Sequence, residues 1–193
     1  MARLPYPDRS TFPQDLQDFL AKIPEHRNFN MMSYSISTIE QYIRQGVAQY
    51  TGLQLPARSR ELIILTTAAA GQAEYEFVQH VPISESAGVD PEIREAIHRL
   101  EFDSPRLSAD DRAVVNFTAA VVRSPFVSDE VFDAVRVVLS NREILEAMQV
   151  IGFYWSFGRV ATVLQVEIES AHGTAVVEAS RNFTAGRKEH KDH

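Results

Sequence analysis

Glu61, Glu76 and His80 are the side chains of this sequence best suited to chemistry. Glu76 and His80 stand four residues apart in Ala73-Glu74-Tyr75-Glu76-Phe77-Val78-Gln79-His80, a spacing that places both on one face of a helix. Glu61 lies in Arg60-Glu61-Leu62-Ile63-Ile64-Leu65 and carries the one charge between Arg60 and Glu74. A carboxylate beside an imidazole is the simplest acid–base pair available near neutral pH. The 193 residues contain no Cys, so they offer no thiol nucleophile, disulfide or cysteine-ligated zinc. Proton transfer is the chemistry these residues point to.

Each of the three has a plainer reading. A carboxylate among Leu62, Ile63 and Ile64 is costly to bury alone, so Glu61 either faces water or meets a cation such as Arg58. Glu76 and His80 alone are a solvated helical pair worth about 0.2–0.5 kcal/mol. Convergence changes this: a chain reversal around Gly71 would bring Glu61 to His80, and an imidazole between two carboxylates holds its proton more tightly. The same three side chains are a conceivable metal site, but only one His is on offer; neither metal nor cofactor is expected. His26, His98 and His172 read as surface or packing residues, with His190 and His193 in the tail.

The elements that must position these groups are helical, and the fold class expected is all-α. Pro5, Pro7 and Pro13 predict an irregular arm, followed by a short helix over 14–22. Ile36, Ile39, Tyr42, Ile43 and Val47 recur at helical spacing over 35–50. Pro56 and Ser59 open an apolar helix that Gly71 closes, and the helix carrying Glu76 and His80 stops at Gly88. Asp90-Pro91 restarts a helix, and Ser108 and Ser140 begin capping boxes. The stretch from Ile144 is apolar on nearly every face, as expected of a helix buried in the core or at a subunit contact. The domains expected are an arm with a short helix over 1–34, a helical domain over 35–170 and a flexible tail over 171–193.

Composition narrows the function classes. Apolar residues make up 45% and charged residues 23%, ordinary for a globular protein, and a chain of this size buries roughly 70% of its unfolded surface. A net charge of −7 without a basic stripe argues against nucleic acid. No apolar run approaches the ~20 residues a membrane helix needs, and the start lacks a signal-peptide h-region; the cytoplasm is the expected location.

The segment Arg60 to Gly88 resembles the carboxymuconolactone decarboxylase family, which includes the alkylhydroperoxidase D proteins. The matching features are Arg60-Glu61 before an apolar helix, Ala73-Glu74-Tyr75-Glu76, His80, and Ala87-Gly88-Val89. Ala73 and Glu76 stand where the family's peroxidase branch has cysteines, so the resemblance is to the cysteine-free, decarboxylase-like branch. It implies an alkylhydroperoxidase D-like domain of antiparallel helix pairs, assembled as homotrimers, hexamers or related rings. It also implies a cofactor-independent lyase or isomerase acting on a small oxygenated carboxylate or lactone. His80 is the expected general acid/base, with Glu76 exchanging its proton and Glu61 orienting the ring. Arg60, Tyr75, Phe77, Tyr154 and Arg159 are the candidate substrate-binding residues, Arg60 or Arg159 stabilising a developing oxyanion. A non-catalytic binding protein on the same scaffold and a biosynthetic cyclase or isomerase are the alternatives.

Overall fold

The computed structural model describes residues 1–173 and 175–189, and every regular element among them is helical. A 3₁₀ turn at Arg9–Thr11 precedes α1 (Gln14–Leu20), α2 (Arg27–Met32), α3 (Ile39–Thr51), α4 (Ala57–Ala70), α5 (Glu74–Ser86), α6 (Pro91–His98), α7 (Ala109–Arg123), α8 (Asp129–Val138), α9 (Asn141–Leu164) and α10 (Ala175–Glu189). No helix among the described residues is long and apolar enough to cross a membrane.

α4 is the centre of the molecule. Every side chain from Arg60 to Ala68 is buried, because a helix with no polar face must be surrounded; α5, α6, α7 and α9 do so. The turn Gly71-Gln72-Ala73 folds α5 back along α4. Gln72 adopts the left-handed region at φ 55°, and the Ala73 and Gly71 backbone N–H groups return to the carbonyls of Ala68 and Thr67. A Cβ at Gly71 would sit 2.7 Å from the Thr67 carbonyl oxygen. The reversal expected around Gly71 is therefore present, and it makes the two helices antiparallel neighbours.

α9 crosses α5 and α4. Its start is a complete capping box: Glu143 N–H donates to Ser140 Oγ, and Ser140 N–H donates to Glu143 Oε2. The box expected at Ser108 is half made. Ser108 Oγ accepts from Asp111 N–H, but the Asp111 carboxylate instead takes Arg58 at 2.8 Å, a partner a short side chain reaches more easily than the cap backbone. Of the two α9 glycines, Gly158 makes the close approach. A Cβ there would lie 2.6 Å from Ala73 Cβ, whereas Gly152 has open space. Gly158→Ala is expected to destabilise the fold by about 1–3 kcal/mol through overpacking, read as a lower urea midpoint.

Three sequence expectations change. α3 starts at Ile39 because residues 35–38 form a turn held by Ser35 and Thr38. α2, only six residues long, carries too little periodicity to be seen. The segment over 171–193, expected as a flexible tail, contains α10, which packs on α3. Phe183 anchors it, edge-on to Phe19 with ring centroids 5.6 Å apart and under the Arg44 guanidinium at 5.0 Å. His190 and His193 lie outside the described residues.

Candidate active site

Antiparallel packing of α4 on α5 brings the three singled-out side chains into one buried chain. Glu61 is 0% exposed, Glu76 2% and His80 4%. His80 Nδ1 lies 2.8 Å from Glu61 Oε2, and its Nε2 lies 3.0 Å from Glu76 Oε1. The other Glu61 oxygen accepts from Arg60 Nε at 3.1 Å. The order is thus Arg60, Glu61, His80, Glu76, with charges alternating along it. Both carboxylates take opposite nitrogens of one ring, so these side chains form a line and do not converge on a point as metal ligands would.

Burial alone would push the His80 imidazole down. The charge and hydrogen bond of Glu61, then those of Glu76, outweigh it and raise the ring to about 9 from an ordinary 6.5. His80 is therefore an imidazolium at neutral pH. Because the folded protein binds this proton more tightly than the unfolded chain, its stabilisation is complete below about 6.5 and lost as pH rises through about 9. Across that window the wild-type folding free energy is expected to fall by on the order of 3 kcal/mol relative to a His80→Gln variant. Urea denaturation at a series of pH values measures this.

One oxygen of the chain has no partner. Glu76 Oε2 is buried without a hydrogen bond among the described residues, and Glu76 and His80 both line a partly open cavity of about 90 Å³. That is smaller than an engineered cavity of roughly 150 Å³ that accepts benzene, which limits a ligand to no more than a single small ring. Phe153, Tyr154 and Phe157 of α9 line it, as do Val176, Ala179 and Phe183 of α10. Tyr154 meets the His80 ring edge-on at 4.9 Å, and its hydroxyl pairs with that of Tyr50 at 3.1 Å. Burial raises both phenols, so both remain protonated. One hydroxyl proton of the pair is spent between them, leaving the other for a ligand.

The candidate substrate-binding residues fare differently. Tyr154 is in the cavity wall. Arg60 stands behind Glu61, its guanidinium 4.5 Å from the Tyr50 ring, so it braces the chain from outside the cavity. Arg159 lies over the half-exposed Trp155 ring at 5.2 Å, away from the site. Phe77 packs into the main core and against His98. Tyr75 turns its hydroxyl to Glu169 and His26. Among the described residues no Lys or Arg lines the cavity, so the cation expected to meet an oxyanion is absent from it. His26, Tyr50, Gln79 and the α10 residues were not anticipated. Tyr50 continues the Tyr42, Ile43, Val47 face of α3, a detectable signal; His26 follows Pro24 in an irregular stretch and gives none.

The helical fold matches that of solved alkylhydroperoxidase AhpD core proteins. An uncharacterized peroxidase-related protein from a Silicibacter species superposes with a TM-score of 0.73 at 20% identity, covering 87% of this chain and 92% of that one. An alkylhydroperoxidase AhpD core protein from Ralstonia eutropha, also peroxidase-related and uncharacterized, gives 0.72 at 19% identity, with coverage of 87% and 92%. The debrominase Bmp8, solved with 2,3,4-tribromopyrrole, gives 0.67 at 14% identity, covering 94% and 98%. No family model matches the sequence, and no curated protein does.

Proposed function

We propose that this protein is a cofactor-independent acid–base enzyme, a carboxymuconolactone decarboxylase-like lyase or isomerase that moves a proton on a small oxygenated ring such as a lactone. The observation that carries this reading is the buried imidazolium clamped between two carboxylates, one of which presents an unpaired oxygen at an apolar cavity. Glu76 Oε2 is the group placed to take a proton from carbon or oxygen of the substrate. Both His80 nitrogens are engaged, so His80 stabilises the Glu76 carboxylate and exchanges protons with it, while Glu61 and Arg60 hold the ring. The leftover tyrosine proton would meet a carbonyl oxygen as enolate character develops.

Charge favours an uncharged substrate. The four chain members sum to zero, and among the described residues no further cation lines the cavity, so an ionised carboxylate would enter apolar surroundings without a dedicated partner. Proton-shifting isomerisation of a lactone or enolisable ring therefore fits better than loss of CO₂. With no cysteine in these residues, a thiol-dependent peroxide reduction has no nucleophile here. The test is incubation in D₂O with unsaturated lactones and β-keto acids, followed by mass spectrometry. Deuterium uptake without loss of CO₂ supports an isomerase, loss of CO₂ a decarboxylase, and the absence of both across the panel counts against proton-transfer catalysis.

The outer face of α9 supports a homo-oligomer. Leu145 is 60% exposed, Met148 48% and Trp155 45%, and with Gly152 they recur at three- and four-residue spacing to form an apolar stripe. Pairing with Leu145→Glu and Trp155→Glu is expected to convert the assembly to monomers by light scattering. An unchanged mass in the double variant would place any interface elsewhere.

A further inference from the structure

A second polar relay, through Tyr75 and His26, reaches the same cavity. Tyr75 O–H lies 2.7 Å from Glu169 Oε1 and 3.1 Å from His26 Nδ1, and the Asn28 backbone N–H points at the same phenol oxygen from 3.3 Å. A phenol has one proton, and a carboxylate can only accept. Tyr75 therefore donates to Glu169, and its oxygen accepts from Asn28 N–H and from His26. That assignment puts the His26 ring proton on Nδ1 and the lone pair on Nε2.

His26 is 8% exposed and lines the cavity, whereas Tyr75 stands behind it. With Nδ1 committed to Tyr75, Nε2 is the polar atom His26 has left for a ligand. We propose that His26 is a substrate-binding residue whose Nε2 accepts a hydrogen bond from an O–H or N–H of the substrate, with Tyr75 and Glu169 as positioning residues that fix its tautomer. Burial, then the nearby His172 and the charged His80, push the imidazole down to about 3, so it stays neutral across the physiological range. The cavity thus pairs a charged histidine with a neutral one; among the described residues it offers a ligand two acceptors, Glu76 Oε2 and His26 Nε2, beside the one donor left by the Tyr50–Tyr154 pair. The substrate class that matches is a small uncharged ring carrying a hydroxyl, enol or N–H donor. This deepens the acid–base reading of the His80 cavity and rests on that cavity being the reaction site.

The experiment uses 2-pyrrolidinone and γ-butyrolactone, rings of nearly equal shape in which N–H replaces the ring oxygen, titrated into the full chain labelled with ¹⁵N-histidine. In the wild type, His26 is expected as the Nδ1–H tautomer, with an Nε2 resonance that moves on adding the lactam. Tyr75→Phe is expected to mix the tautomers. The lactam-to-lactone affinity ratio is expected to fall by about fivefold or more in His26→Phe, the loss that follows when a buried hydrogen bond goes unmade. His80→Gln is expected to retain the ratio while losing proton exchange, which separates a failure of this proposal from a failure of the acid–base reading. An Nε2–H tautomer in the wild type, or a ratio unchanged in His26→Phe, would overturn the assignment.

Discussion

Replacing Glu76 with Gln is expected to lower kcat by roughly 10²–10⁴-fold, the usual contribution of a positioned proton-transfer group, in whichever exchange or isomerisation assay the wild type turns over. The amide has the same shape and fills the same space, so folding and assembly should persist. It cannot take a proton at the position of Oε2, and it cannot balance the charge on His80 Nε2, now 3.0 Å from a carboxylate. Both defects act on the reacting step, so the loss should appear in kcat more than in KM. Full turnover by Glu76→Gln would remove this residue from the chemistry. A wild type that binds small rings without exchanging a proton, and a variant changed only in affinity, would mark a binding protein on this scaffold.

Glu61→Ala is expected to cost about 3–5 kcal/mol of stability, because removing one member of a buried ion chain strands the others. Glu61 is fully buried and accepts from both Arg60 and His80. Without it two cationic groups face each other across an unfilled space, and the imidazolium loses the larger of its two supports. The contrast is Glu40→Ala on α3. Its partner Arg44 is also close, at 2.7 Å, but both side chains are about one-third exposed, and such a pair contributes less than about 1 kcal/mol. Urea denaturation of the two variants measures the difference. Equal losses would mean that the Glu61 chain is no more demanding than a surface pair.

Much of this was legible in the sequence because it is local. The four-residue spacing of Glu76 and His80 fixes their shared face, and the lone charge of Glu61 in an apolar helix demands a partner. Gly71 supplies the reversal that joins them. A nearby arginine such as Arg58 was one partner open to Glu61; Arg58 goes to Asp111 and the adjacent Arg60 takes Glu61. What could not be read is what depends on distant segments. His26 and Glu169 meet Tyr75 across separations of 49 and 94 residues. α10 lines the cavity with Val176, Ala179, Ser180 and Phe183, a short stripe of mixed character in a segment that otherwise reads as a tail. The apolar α9 could not be divided by periodicity alone; packing sends Tyr154 and Phe157 inward and leaves Trp155 and Met148 outside.

The most direct test is the protonation state of His80, read from its ring nitrogens by ¹⁵N NMR on histidine-labelled protein at neutral pH. Two protonated nitrogens, with a transition near pH 9 that vanishes in His80→Gln, is the expected result. A single protonated nitrogen at pH 7.5, or a transition at the ordinary value of 6.5, would contradict the buried carboxylate–imidazolium–carboxylate chain on which the proposed chemistry is built.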